Sequence, residues 1–203
     1  MKEHEWPGAS KEPVKWPAAI AAWGDRAKLQ AAWQGAWAGD GFGLGNTSAW
    51  AVDGTKVTFV DKSGEQTFDL DIQSPCEAGF GGGKNGGWVS VFTLHDGQLM
   101  TGLGDAGYRK GNTALVCGFG SVWQFDGTQC TRWQNHFRKW ESSEGHCGFK
   151  QEDGTEVFFY EGSGDGHQSV VQIDGDTLWT EQLKNGHAQK HPDLAAAKTA
   201  QKL

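Results

Sequence analysis

Five of the seven Asp-Gly pairs in this chain separate segments that are rich in aromatic and β-branched residues. They lie at residues 53–54, 96–97, 126–127, 153–154 and 174–175, and a Ser-Gly pair lies at 63–64. A tight hairpin turn needs positive φ, which Gly adopts at little steric cost, so Asp-Gly between extended segments predicts a β-hairpin. The sequence therefore predicts a mainly β protein, an antiparallel meander of about 10–12 strands.

The hairpin about Asp126-Gly127, within residues 113–133, has the strongest pattern. A two-residue turn there pairs Trp123 with Cys130. Because strand side chains alternate between faces, we expect one apolar face made of Cys117, Phe119, Trp123, Phe125 and Cys130. In the same register Arg132 lies on this face.

Two neighbouring turns, at 53–54 and 63–64, independently predict a second apolar face. The first turn pairs Trp50 with Val57, and the second pairs Phe59 with Phe68. Both turns leave the same residues on one side, namely Trp50, Val52, Val57, Phe59, Phe68, Leu70 and Ile72. Later turns pair Phe149 with Phe158, Cys147 with Tyr160 and Val171 with Leu178.

The composition suits one β domain. The chain has 203 residues with 11 Trp, 11 Phe and 31 Gly, which supply bulky core residues and many turns. An antiparallel sheet of this size must protect its edges, and a meander does so best by closing. We therefore expect a closed or nearly closed barrel, whose interior is filled by side chains or holds one small ligand.

The chain divides into four predicted parts. Residues 1–16 form a polar N-terminal segment, residues 17–34 an Ala-rich helix packed on the barrel, and residues 35–185 the β-barrel domain. Gly24 weakens the helix and is a point where it can split. Residues 186–203 form a tail, in which Asp193 is placed to start a short helix.

The stretch Gly35-Ala36-Trp37-Ala38-Gly39-Asp40-Gly41 resembles openings found in known small barrels. Gly-x-Trp after a short helix is similar to the lipocalin and wider calycin opening, and the longer run is similar to that of nitrobindin-like haem barrels. The resemblance implies a lipocalin-like antiparallel barrel. The chain lacks the lipocalin Thr-Asp-Tyr turn, the Arg of a late strand and the rest of the nitrobindin pattern. No functional residue is carried over.

Charge and hydropathy limit the partners. The net charge of −7 argues against nucleic acid, which requires a basic face. The sequence contains no run of about 18 apolar residues, so it predicts no membrane span. The opening residues have no hydrophobic region of a signal peptide, so we expect a cytoplasmic protein if Met1 is the natural start. An exported origin stays open if Met1 was added to a mature domain. The pattern does not predict the oligomeric state.

Cysteines occur at four positions, Cys76, Cys117, Cys130 and Cys147. An even number is typical of two disulfides in an oxidising compartment, whereas the same residues would be buried thiols in the cytosol. Zinc is a further alternative, with ligands from Cys130, His136, His146 and Cys147, but the paired spacing of a zinc site is absent.

Catalytic motifs are absent. Residues 74–87 form a Gly-rich loop without the ending of a phosphate loop, so we interpret it as a connection or as a flap over the barrel mouth. Asp105, Glu161 and Asp165 are candidates for a carboxylate pair. No cofactor is predicted; haem bound through an inward histidine such as His167 is the alternative.

Arg132 is the most informative polar residue. A charge that points into a barrel is costly unless it is paired or solvated. Contact with a ligand resolves that cost, and the alternative is that Arg132 lies near the barrel end and extends its charged group to water. We expect a site with Trp123 and Phe119 in the wall, Arg132 as its polar group, and Tyr108 and Arg109 at the rim. The predicted function is non-catalytic binding of a small, mostly apolar molecule, with or without an anionic group. Alternatives are an isomerase or cyclase acting on a hydrophobic substrate, and a structural or interaction module.

Overall fold

A computed structural model describes residues 15–40, 47–81, 88–93, 99–101, 104–118, 121–136, 139–161, 168–180 and 187–203. The chain is mainly antiparallel β, as the hairpin pattern predicts. Helix within these ranges is limited to α1 (Ala18–Ala21), α2 (Arg26–Trp33) and α3 (Leu194–Gln201). Over the same ranges, no helix combines the length and the apolar character needed to cross a membrane.

The described strands form two nine-stranded antiparallel sheets. The first sheet contains β1 (Gly35–Asp40), β2 (Thr47–Asp53), β3 (Lys56–Asp61), β4 (Gly64–Asp69), β5 (Asp71–Ile72), β6 (Glu77–Gly81), β7 (Trp88–Thr93), β8 (Leu99–Thr101) and β18 (His187–His191). The second sheet contains β9 (Ala106–Lys110), β10 (Thr113–Gly118), β11 (Ser121–Phe125), β12 (Cys130–His136), β13 (Lys139–Glu144), β14 (Cys147–Glu152), β15 (Thr155–Glu161), β16 (Gln168–Asp174) and β17 (Thr177–Trp179).

The closed or nearly closed barrel predicted over 35–185 is confirmed only as a mainly β, antiparallel arrangement, because the described strands divide between two sheets. One sheet is a half-barrel that curls through 240° without closing fully. Pairings between strands far apart in the chain build the sheets: β1 pairs with β18, and β9 pairs with β17. The predicted tail, 186–203, therefore supplies a strand of the first sheet as well as α3.

The edge strands of each sheet are consecutive in the chain. Only Leu70 separates β4 from β5, and only Gly145 and His146 separate β13 from β14. The Leu70 N–H donates to the Thr55 carbonyl at 2.9 Å, and the Gly145 N–H donates to the Cys130 carbonyl at 3.0 Å. In each sheet, the two edge strands are therefore joined by a short connection of one or two residues.

An aromatic cluster fills the inner face of the first sheet. The predicted apolar face is confirmed: Trp50, Val52, Val57, Phe59 and Ile72 are buried together, and Phe68 and Leu70 pack against them. Helix α2 adds Leu29 and Trp33 to this cluster, and the Trp37 indole N–H donates to the Trp33 carbonyl at 2.9 Å. Buried aromatic side chains of this size dominate the energy of a core.

The single N-terminal helix predicted over 17–34 is replaced by α1 and α2. Gly24 lies between them, and a Cβ at this position would lie only 2.8 Å from the Pro75 side chain and carbonyl. Asp25 then begins α2 as its N-cap, because its carboxylate accepts the Lys28 N–H at 3.1 Å. The predicted role of Asp193 is confirmed: it caps α3 by accepting the Ala196 N–H at 2.8 Å.

Two disulfides join the four cysteines. Cys130–Cys147 links β12 to β14 across the bend, with Cα atoms 5.4 Å apart, and this bond excludes the zinc alternative at those thiols. Cys76–Cys117 links the first sheet's β5–β6 connection to β10, with Cα atoms 6.1 Å apart. The prediction that Cys117 shares the face of Trp123 is wrong, because Val116 pairs with Trp123 and Cys117 faces the opposite side.

Candidate functional site

The inner face of the second sheet carries the candidate site. Its core cluster consists of Ala114, Val116, Trp123, Cys130, Cys147, Phe158, Tyr160, Val171 and Leu178. The strand register positions the central residues: Trp123 on β11 lies opposite Val116 on one side and Arg132 on the other. Residues directly opposite one another in a sheet share a face, so Arg132 lies on the face of this cluster.

Arg132 is a cation among aromatic rings. Its Cζ lies 5.8 Å from the centre of the Trp123 ring, and Trp123 is 3% exposed. The Arg132 Nε and Nη2 atoms are buried without a hydrogen-bond partner in the described part of the chain, as is the Trp123 indole nitrogen. Leaving buried donors of a charged group unpaired is costly, so these atoms mark a place where a ligand would gain the missing bonds.

A buried acid-phenol pair lies beside Trp123. The Tyr160 hydroxyl donates a short hydrogen bond to Asp105 Oδ2, and the rings of Tyr160 and Trp123 are 4.6 Å apart. The backbone holds Asp105 against β17: its N–H donates to Thr180 Oγ1 at 3.1 Å, and the Thr180 N–H donates to its carbonyl at 3.0 Å. A Cβ at Gly118 would overlap the Asp105 carboxylate, so Gly leaves room for this pair.

Burial sets the electrostatics of the pair. It raises the pKa of Asp105, and the hydrogen bond from Tyr160 opposes that shift only in part. Burial also raises the pKa of Tyr160, and the Asp105 charge and hydrogen bond raise it further. Both groups therefore favour their neutral, proton-bearing forms. A neutral carboxyl can donate a hydrogen bond, which an ionised one cannot.

The structure places the two predicted rim residues on different faces of the second sheet, and only Arg109 shares the face of Arg132. Tyr108 lies on the opposite face of the sheet, packed with Leu115 and Cys117, and burial raises its pKa to about 12. Arg109 already has a partner: its guanidinium contacts both oxygens of Glu156, at 2.7 and 3.3 Å, and lies over the Phe149 ring. Tyr108 therefore does not share a face with Arg132, whereas the rim position of Arg109 stays a prediction. Phe119 lies outside the described residues.

The predicted carboxylate pair stays a prediction, although Asp105 already has a hydrogen-bond partner in Tyr160. Glu161 contacts His146 at 3.3 Å, where both side chains are more than half exposed. Asp165 and His167 lie outside the described residues, as does the side chain of His136. No group of three metal-ligating side chains occurs in the ranges that the structure describes.

Tyr160 is the functional candidate that sequence reasoning missed. The turn at 153–154 places it opposite Cys147 and thus on the inner face, and the observed register confirms this pairing. Its hydroxyl must find a polar partner when it is buried, which is the signal that the sequence contains. Asp105 lies 55 residues away, so no local motif identifies it as that partner.

The arrangement offers hydrogen-bond donors inside a mostly apolar surface. Arg132 and Trp123 have donors to give, and Asp105 with Tyr160 supplies a second polar group close by. Such a surface can bind a molecule with an apolar body and one acceptor group. Comparison of the chain with protein-family models, with curated proteins and with solved structures found no match.

Proposed function

We propose that this protein binds a small, mostly apolar molecule that carries an acidic group, without altering it chemically. The inner face of the second sheet is the proposed site, with Trp123 in the wall and Arg132 as the polar anchor. Small-molecule sites in other proteins have this make-up of apolar walls and a few convergent polar groups.

Arg132 carries this proposal. Its buried Nε and Nη2 atoms have no hydrogen-bond partner in the described ranges, and neither has the Trp123 indole nitrogen, whereas Tyr160 and Asp105 in the same region are bonded to each other. A hydrophobic residue would stabilise such a position better if packing were its only role. The energetic cost of two buried, unpaired guanidinium nitrogens is accounted for if a ligand completes their hydrogen bonds.

The test uses an anionic apolar probe, 1-anilinonaphthalene-8-sulfonate, with Arg132→Met as the variant. Met preserves the length and apolar packing of the side chain but removes its charge. We expect binding to weaken at least tenfold, since hydrogen bonds to charged groups contribute about 1.5–3 kcal/mol. Fluorescence titration measures the dissociation constant, and circular dichroism checks the fold.

Lys28→Met is the matched control. It removes the same charge from an exposed position on α2, which packs on the first sheet. If both variants bind the probe as the unmodified protein does, or both weaken binding equally, then Arg132 is not the anchor and the proposed site is wrong.

The buried acid favours a second candidate, an isomerase or cyclase that acts on a hydrophobic substrate. Such an enzyme needs a titratable group with a shifted pKa inside its cavity, and Asp105 has this property. Asp105 would exchange a proton with the substrate, and Tyr160 would hold the carboxyl in place. Asp105→Asn distinguishes the two functions, because it removes proton transfer and leaves the anchor at Arg132 intact. The enzymatic function is favoured if the unmodified protein converts a bound substrate and Asp105→Asn binds that substrate without converting it.

The disulfides bear on the compartment. Both described pairs are bonded, and disulfides persist where the environment is oxidising. We infer that the protein works outside the reducing cytosol. Thiol titration of denatured, unreduced protein isolated from its source should find no free thiols, whereas four free thiols would indicate a reducing compartment.

A further inference from the structure

We propose that the acidic group of the ligand is a carboxylate, held by two parallel hydrogen bonds on the Nε–Nη2 edge of Arg132. The inference rests on the proposed function, because it names the chemical class of the molecule bound at that site. It goes further by distinguishing a planar, two-oxygen acid from any other acceptor that a positive charge would attract.

The positions of the two unpaired Arg132 nitrogens indicate a bidentate contact. A guanidinium group is planar, and its Nε–H and one Nη2–H point in the same direction from one edge. Nε and Nη2 are the two Arg132 nitrogens that are buried without a partner in the described residues, so the vacant donors belong to one edge. A carboxylate presents two oxygens at the matching separation, which makes the contact bidentate.

A further polar group near Arg132 that lacks a hydrogen-bond partner in the described residues is also a donor. The Trp123 indole nitrogen is buried without an acceptor in the same part of the chain, and indole can only donate. A ligand group that completes this set must accept hydrogen bonds without bringing donors of its own. An ionised carboxylate fits, because it is acceptor-only and has about four lone-pair positions, whereas an amide brings two N–H donors.

The surroundings strengthen such a bond. The Nε and Nη2 atoms of Arg132 are themselves buried, and the neighbouring Trp123 is 3% exposed, so little water reaches these atoms. Charge-assisted hydrogen bonds are stronger where the local dielectric constant is low. The neighbouring carboxyl of Asp105 is held toward its neutral form by burial, which limits repulsion of a second carboxylate.

The experiment compares matched probes that differ only in the head group. Calorimetry measures the binding of 2-naphthoate against 2-naphthamide and of decanoate against decanamide, so that both a rigid and a flexible apolar body are tested. The proteins are the unmodified chain, Arg132→Lys and Arg132→Met, with Lys28→Met as the charge-matched control. Lys retains the positive charge but lacks the planar guanidinium group that donates two parallel hydrogen bonds.

We expect the unmodified protein and Lys28→Met to bind at least one carboxylate ten or more times more tightly than its amide. Arg132→Lys should lose most of this preference, and Arg132→Met should lose it entirely. Equal binding of carboxylate and amide would overturn the inference, and the proposed function would then depend on whether Arg132→Met weakens binding of the sulfonate probe. A preference that survives in Arg132→Lys would show a point-charge contact and overturn the bidentate geometry. Failure of all four probes to bind would overturn both proposals.

Discussion

Replacing Asp105 with Asn should change how the stability of this protein depends on pH. Folding buries the carboxyl and raises its pKa above the ordinary value of 3.8. Below that value the carboxyl is protonated in both the folded and the unfolded chain, and its contribution to stability is fully present. As the pH rises, the unfolded chain releases the proton first, so stability falls until the pH passes the raised pKa of the folded state.

The magnitude follows from proton counting. Within that window one proton separates the two states, and the free energy of unfolding falls by up to about 1.4 kcal/mol for each pH unit. Asn has nearly the same shape, is neutral at every pH and keeps an oxygen that accepts the Tyr160 hydrogen bond. The unmodified protein should therefore lose stability relative to Asp105→Asn as the pH rises from 4, and the gap should stop growing above the folded pKa.

Urea unfolding at half-unit intervals between pH 4 and 8 measures this gap. Comparing the two proteins at each pH cancels the contributions of the other titrating groups, such as the exposed Glu156, whose pKa is lowered by its hydrogen bond with Arg109. Parallel stability curves for the two proteins would contradict the prediction. They would mean that Asp105 ionises in the folded protein as it does in water.

Two further predictions concern the framework. Replacing Cys130 and Cys147, which are 17 residues apart, with Ala should lower the free energy of unfolding in urea by about 3 kcal/mol. Replacing Cys76 and Cys117, which are 41 residues apart, should lower it by about 4 kcal/mol. A larger loss for the shorter loop would contradict the chain-entropy explanation. Trp33→Ala should cost about 3–5 kcal/mol, because it empties a fully buried position of the first core; a thermal scan that shows an unchanged midpoint would exclude a role for α2 in that core.

The sequence predicted which face of each hairpin is buried better than it predicted the register. At 153–154 both Asp153 and Gly154 have positive φ, 49° and 79°, as in a type I′ turn, and the predicted pairing of Phe149 with Phe158 is confirmed. At 53–54 only Gly54 has positive φ, 59°, as in a type II′ turn whose two central residues are Gly54 and Thr55.

That second kind of turn moves the register by two residues. Val52, instead of Trp50, lies opposite Val57, and likewise Ile173, instead of Val171, lies opposite Leu178. Two residues is also the side-chain period of a strand, so the shift leaves every side chain on its predicted face. The buried faces were therefore predictable although Asp-Gly fits two turn types.

Long-range pairing could not be predicted from local patterns. Hairpin turns specify neighbours along the chain, but the division into two sheets depends on β1 meeting β18 and on β9 meeting β17. The same limit applies to the site. Arg132 and Trp123 lie on neighbouring strands and were expected to share a face, whereas Asp105 precedes β9 and Tyr160 lies on β15, three positions away in the strand order.

The most direct test of the central claim is a crystal structure of the protein soaked with 2-naphthoate. We predict that the probe lies on the inner face of the second sheet beside Trp123, with its carboxylate oxygens about 2.7–2.9 Å from Arg132 Nε and Nη2. A probe bound elsewhere, or an Arg132 side chain that points to bulk solvent in that structure, would contradict the account.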